Sequence, residues 1–295
     1  SCHAAALPIA YEQIGCTACI DVCSAQAIRS DASLKGKRKG ELGGIVVEPH
    51  LCVGCGACST VCPTGAMGFA FPTPPDLGKR IRTMLHAYAH AGGRDAALLV
   101  HSEGAGARAL QALGRAGRVS GGAARGDHGL QGLPARVLPL AVWHTASVGL
   151  DLWLAALAQG ANQVIVLLTG EEAPDYRAAL AEQAGVAQAL LTGLGYGGKH
   201  VHLVDLGDDA SPRRLDAALR LTPAQGVAKA AAFVVQADKR PTLELAIDHL
   251  FAQAPAPVDE VALPAAGSPF GSLAIDKQRC TMCLSCVGAC PSQAL

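Results

Sequence analysis

"CVGCGACSTVCP" (residues 52–63) carries four cysteines, Cys52, Cys55, Cys58 and Cys62, and follows the last with Pro63. The same C-x2-C-x2-C-x3-C-P run returns without deviation as "CTMCLSCVGACP" (280–291), with Cys280, Cys283, Cys286 and Cys290. A third stretch, "CTACIDVCSAQAI" (16–28), holds only Cys16, Cys19 and Cys23. Three thiolates at intervals of three wrap a loop around one face of an iron–sulfide cube and take three of its irons, while the fourth leads into a helix or turn that points away. Small residues between the ligands (Gly54, Gly56, Ala57) let backbone amides approach the sulfurs, where hydrogen bonds help set a reduction potential. Structural zinc uses two C-x2-C pairs separated by a long loop, four ligands to one ion. Three cysteines inside seven residues fit zinc poorly, so the spacing points to [4Fe–4S] clusters.

The rest of the composition agrees with a folded, cluster-bearing chain. Its 295 residues are long enough for about two domains, and half of them are hydrophobic, so a real core can form. Formal net charge is zero, which gives no electrostatic reason to expect a nucleic-acid or acidic-membrane partner. No apolar run reaches the ~20 residues of a spanning helix. No signal peptide is visible, although the chain begins with Ser1 rather than Met; a cytoplasmic location is expected. The twelve cysteines fall four between 2 and 23, four between 52 and 62 and four between 280 and 290, with none between. A disulfide framework serves small domains with poor cores. Cysteines crowded like these gather around metal.

Three segments are expected: a cysteine-rich domain over 1–71, a cysteine-free α/β domain over 72–265, and a C-terminal half-module over 266–295. "FPTPPD" (71–76) and "APAPVDEVALPAAGSP" (254–269) are proline-rich boundaries. Between them, 96–101, 135–142, 163–169 and 200–206 read as buried strands, and 77–90, 148–159, 176–194 and 242–254 as helices with apolar residues three and four apart. Such alternation predicts a parallel sheet covered on both faces. "KGKRKGELGG" (35–44) and "GRVSGGAARGDHG" (117–129) read as exposed loops, the first with some potential as a docking patch for an acidic redox partner. There is also an internal repeat. Residues 44–67 parallel 271–295, each with a short strand, an acidic residue four before the first cysteine (Glu48, Asp276) and a closing Ala-Met or Ala-Leu. "CSAQAI" joins the series, matching "CPTGAM" and "CPSQAL".

Over 1–71 and 270–295 the chain resembles the bacterial two-cluster ferredoxin domain. In that family the fourth cysteine of each motif ligates the other cluster. The resemblance therefore implies one cluster on Cys16, Cys19 and Cys62, and another on Cys52, Cys55, Cys58 and Cys23. Gln13 stands where the first motif wants its first ligand and is a poor one, so Cys2 is expected to fold back as the displaced ligand; lengthening a loop adds little closure entropy. The alternative is a free Cys2 and a damaged or three-iron cluster. The C-terminal motif has no partner motif. Either Cys290 closes its own cluster or it reaches for one bound elsewhere, and a fragment of a longer polyferredoxin is expected.

The central segment contains one motif-like feature, G-x-G-x-x-A at Gly104, Gly106 and Ala109, after a strand and opening a helix. Against a nucleotide site stand Glu103, the late first glycine and the missing acidic residue on a second strand. His86 and His90 sit four apart on one helix without a third ligand, and no catalytic triad, paired-carboxylate or phosphate-loop constellation stands out. As a whole the chain resembles 4Fe–4S dicluster proteins of proteobacteria, on "IVVEPHLCVGCGACSTVCP", "DKR" (238–240) with "LELAIDHL" (243–250), and "LPAAGSPFG" (263–271). Such proteins are often encoded near formate dehydrogenases, which implies a redox-enzyme partner. The middle also resembles the small iron–sulfur subunit of methanogen-type hydrogenases, whose domain uses cysteines that are absent here. The expected function is single-electron transfer through [4Fe–4S] clusters, two N-terminal and a third C-terminal, with no catalytic residues. The rival is an oxidoreductase subunit whose central domain binds a flavin or nicotinamide nucleotide. A structural scaffold or zinc protein is the third class.

Overall fold

The computed structural model of the chain describes residues 16–30, 45–122, 129–207, 211–256, 258–271 and 275–289. Cys2 and Cys290 therefore lie outside the described residues, as does the stretch 35–44. Mixed α+β and α/β architecture is found, as the alternating pattern predicts.

The cysteine-rich part begins with a short helix α1 (Ala18–Asp21), then β1 (Ile28–Ser30), β2 (Ile45–Val47) and helix α2 (Ala57–Val61). β1 and β2 pair antiparallel, Ile28 opposite Val47, with Arg29 and Glu48 ion-paired at 2.8 Å beside them. Their core is small and made partly of the cysteines themselves: Cys19, Ile28, Cys58, Cys62 and Met67.

The larger part is a four-stranded parallel sheet in the order β4–β3–β5–β6, from β3 (Ala97–Ser102), β4 (Val137–Val142), β5 (Gln163–Leu168) and β6 (Val201–Asp205). The central strands β3 and β5 are buried along their whole length, as near-continuous apolar runs demand. One face packs Leu98, Val100, Val164 and Val166 under α3 (Pro74–His90), α5 (Leu150–Ala158), α6 (Pro174–Gly193) and α8 (Lys239–Ala252). The other packs Leu99, Ile165 and Leu167 under α4 (Ala105–Gly122) and α7 (Pro212–Ala218). Each fully buried aliphatic side chain adds about 1.5–3 kcal/mol.

The differences from the sequence reading lie at helix ends. α3 starts at Pro74 rather than 77, because proline is tolerated in a first turn and Thr73 caps it, accepting from the Asp76 N–H at 3.3 Å. α4 runs on to Gly122, so the front of the stretch read as the loop 117–129 is helical. α7, seven residues capped by Ser211, was absent from the pattern, being too short to show periodicity.

The strand order reverses between β3 and β5. Open α/β sheets use the crevice at that switch point, beyond the carboxyl ends of the strands, to hold ligands. Here the cysteine-rich part is seated at that end. A 3-10 turn (Thr145–Ser147) after β4 receives α2: Thr60 Oγ1 donates to the Ala146 carbonyl at 3.1 Å, and a Cβ on Gly56 would stand 2.7 Å from Ser147 Cβ.

Candidate metal centre

The three cysteine stretches share one local geometry. α2 starts at Ala57, one residue before Cys58; α9 (Ser285–Ala289) starts one before Cys286; α1 starts one before Cys19. Gly54 and Gly56 have φ of +69° and +81°, and their C-terminal counterparts Met282 and Leu284 have φ of 53° and 58°. After the last cysteine, Gln26 (φ 50°) and Gly65 (φ 77°) repeat each other in the same way. The acidic residue four before each complete motif starts the same turn. Cys52 N–H donates to the Glu48 carbonyl at 3.1 Å, and Cys280 N–H to that of Asp276 at 2.9 Å. Positive φ is costly for a residue with a Cβ, so its recurrence in non-glycine residues marks a loop shape imposed by the motif. In that shape Cys16, Cys19 and Cys23 correspond to the last three cysteines of a complete motif.

Packing of α1 beside α2 interleaves the first two stretches. Cys16 and Cys62 border one cleft with Lys239, and Cys19 feels the charges of both Cys62 and Cys16. Burial first, and then those two sulfurs, push the Cys19 thiol up to about 11. Cys62 goes the other way. Burial raises it, but the Met67 N–H, the Thr64 hydroxyl and N–H and the Lys239 charge together hold it below its ordinary value. On the far side of α2, Cys23, Cys52, Cys55 and Cys58 line a second small cavity. Ala27 N–H donates to Cys23 Sγ at 3.3 Å. Among the described residues, no three His, Cys, Asp or Glu side chains converge on one point as a single metal ion requires. Cubane ligands each bind their own iron around a cube, and an all-thiolate set with amide donors aimed at its sulfurs suits that group. Cys283, beside Ser285 Oγ at 3.3 Å, is drawn down to about 7 by donors from Ser285 and Thr281. Cys280, Cys283 and Cys286 are all exposed.

Two residues of the larger part meet these cysteines. Lys239, first residue of α8, turns Nζ onto the carbonyls of Ser59 (3.0 Å), Thr60 and Cys62 (3.0 Å), the open end of α2. Tyr176, buried near the start of α6, lines the second cavity with Cys55 packed against its cluster, while Ser24 Oγ donates to the neighbouring Asp175 at 3.2 Å. Nothing in the sequence flagged either as functional. In the sequence Lys239 stands out only as part of the resemblance segment "DKR". Cys52 also borders an open groove with Phe71 and Trp143, which are 80% and 63% exposed.

The glycine pattern does open α4 at the switch point. Its helix N-terminus, however, already holds a carboxylate: Glu171 accepts from Ser102 Oγ at 2.5 Å and from the Ala105 N–H at 2.8 Å. A side chain at Gly104 would run into that carboxylate. Gly106 lies tight against His101 and Ser102. His86 and His90 stack on each other, ring centres 6.3 Å apart.

Comparison with known proteins fits this geometry at both ends of the chain. A family profile described as "4Fe-4S dicluster domain" matches residues 14–66, and one described as "4Fe-4S binding domain" matches residues 273–295. The chain is 35% identical over 60 residues to "Ferredoxin Fdx8" of Sorangium cellulosum (strain So ce56), an alignment that covers 17% of this chain and 56% of that protein. No solved structure matches. The chain thus carries 4Fe–4S ferredoxin-type domains at its two ends, and iron–sulfur electron transfer is the chemistry they bring. Among the described residues, no helix is long and apolar enough to cross a membrane.

Proposed function

We propose that the chain relays single electrons through three [4Fe–4S] clusters to or from a redox enzyme, and carries out no substrate chemistry itself. One cluster takes Cys16, Cys19 and Cys62 with Cys2 as its fourth ligand. A second takes Cys23, Cys52, Cys55 and Cys58. The C-terminal motif holds a third on Cys280, Cys283, Cys286 and Cys290. Residues 1–71 are the relay, 72–265 its support, and 266–295 a further stepping stone. The interleaving of the first two stretches carries this assignment: Cys62 stands with Cys16 and Cys19, whereas Cys23 stands with Cys52, Cys55 and Cys58. That exchange of fourth cysteines is how two cubanes share a ferredoxin-type fold.

A carrier needs a place where a cluster nears the surface, and the groove beside Cys52 with exposed Phe71 and Trp143 is such a place. Formate dehydrogenase is the partner suggested by the resemblance. No nucleotide is assigned to the α/β part, because Glu171 takes up the helix end that a pyrophosphate would need.

Anaerobic purification with iron and acid-labile sulfide assays tests the proposal. Brown material with equal amounts of the two is expected. Colourless protein with zinc as its metal would overturn it. Cys2→Ser should impair one N-terminal cluster and spare its neighbour; an unchanged spectrum and iron content would remove Cys2 from the ligand set.

A further inference from the structure

The cysteine-free part does more than hold the clusters in place. Two of its polar side chains are placed one at each cysteine group. Lys239 stands with the group of Cys16, Cys19 and Cys62, and Tyr176 with the group of Cys23, Cys52, Cys55 and Cys58. Both are chemically able to favour extra negative charge on the sulfur cage they face.

For Lys239 the geometry is complete. Three carbonyl oxygens, of Ser59, Thr60 and Cys62, converge on Nζ. An ammonium has three N–H donors for three acceptors, whereas a neutral amine has two. Asp151 adds a negative charge nearby. Burial opposes the charge on Lys239, but three acceptors, Asp151 and Cys62 favour it, and the ammonium sits on the Cys62 backbone with that cysteine's side chain in the same cleft. Tyr176 is buried with Val22, Ala57 and Ala146, Cys55 packs against that cluster, and the ring lines the cavity of Cys23, Cys52, Cys55 and Cys58, where its hydroxyl can serve as an O–H donor to a sulfur. Asp175 next to it anchors the contact, accepting from Ser24 Oγ at 3.2 Å. In so little water an O–H donor to a thiolate is worth more than at a surface.

We propose that the α/β part sets the potentials of the two N-terminal clusters separately, through the Lys239 cation at one and the Tyr176 hydroxyl at the other. Reduction adds one electron, hence one negative charge, to a cage that is already anionic. A nearby cation or an O–H donor to a ligand sulfur stabilises the reduced state more than the oxidised one, and so raises the midpoint. Both are positioning residues, since neither is a ligand. The proposal rests on the two-cluster assignment above.

Dithionite titration of the full chain, followed by electron paramagnetic resonance, tests it with Lys239→Met, Lys239→Arg and Tyr176→Phe. In Lys239→Met, one cluster's reduced-to-oxidised ratio at the native midpoint should fall about tenfold, ~59 mV for a one-electron couple. Lys239→Arg, which keeps the charge, should restore most of it. Tyr176→Phe should lower the ratio of the other cluster about threefold and leave the first untouched. A lysine that merely caps α2 would lower stability or iron content while the surviving cluster kept its midpoint, and that result overturns the proposal. So would both variants moving the same cluster, or neither moving any. Should Lys239→Met not accumulate, Lys239→Gln, which also removes the charge, takes its place under the same readout. The iron and sulfide content of the unaltered protein judges the cluster assignment independently, so the two failures are distinguishable.

Discussion

Gly56 sits at φ +81° with Ser147 Cβ 2.7 Å and Phe69 3.1 Å from where its own Cβ would be. Gly54, two residues earlier at φ +69°, faces open space. These neighbours in one loop are therefore glycines for different reasons. At Gly54 only the backbone conformation matters, and the C-terminal copy of the loop accepts Met282 there with 81% of its surface exposed. At Gly56 a wall is added, because this is where the loop lies on the 3-10 turn of the larger part; the exposed copy, Leu284, has no such wall. Gly54→Ala should cost the backbone strain alone, about 1 kcal/mol. Gly56→Ala should cost roughly 2–3 kcal/mol, because Ser147 is held by its own bond to the His144 carbonyl at 2.8 Å and cannot step aside. Thermal melts of the iron-loaded variants check the order. Equal losses would mean that the contact with Ser147 is not felt.

At the scale of elements, the strands and most helices were legible because their apolar spacing is regular and their interiors lack breakers. Their starts were less so: the run 71–76 reads as a boundary, while Pro74, like Pro174 and Pro212, serves as a first-turn residue. The ferredoxin-type motifs at the two ends were legible, their spacing being local, whereas the fourth ligand expected at Cys2 lies outside the described residues. Lys239 and Tyr176 were not. Each lies more than a hundred residues from the cysteines it meets, and only packing of α8 and α6 against α1 and α2 brings it there. Glu171 is the same kind of case. The pattern at Gly104 and Gly106 marked a helix start suited to an anion, and the anion is supplied from the loop after β5. Burial pushes the Glu171 carboxyl up, yet bonds from Ser102 and Ala105 and the Arg108 charge hold it below its ordinary 4.5. With the folded value depressed, ionised Glu171 stabilises the fold above about pH 4.5, and that contribution fades as pH falls through the folded value. Glu171→Gln should therefore be less stable than the unaltered chain at pH 7, with the gap closing below pH 4.5. Urea midpoints of the two proteins at matched pH measure it, and comparing them cancels acid effects on the clusters. A gap that stays constant with pH would mean that the carboxylate's charge plays no part.

Across the molecule, two cores of unlike kind are joined end to end. The parallel sheet encloses Trp153, Leu98, Leu154, Ile165 and Leu167, all fully buried, and no cysteine takes part. The core of the cysteine-rich part holds Cys19, Cys58 and Cys62 beside Ile28 and Met67, with a pair of three-residue strands as its only sheet among the described residues. So little apolar burial does not offset the entropy of ordering the chain, and small metal-bearing modules draw their folding energy from the metal. The sheet domain has no such dependence. Removing iron with a chelator under oxidising conditions should therefore abolish the visible absorbance and melt the cysteine-rich part, while most of the far-UV helix signal survives. Calorimetry of the loaded protein should show a transition that vanishes with the iron and a second that remains. The second should move down by only a few degrees, reflecting the lost contacts of Thr60, Lys239 and Tyr176 with their partners across the joint. A single cooperative transition that disappears entirely on iron removal would mean that the sheet domain leans on the clusters as much as the cysteine-rich part does.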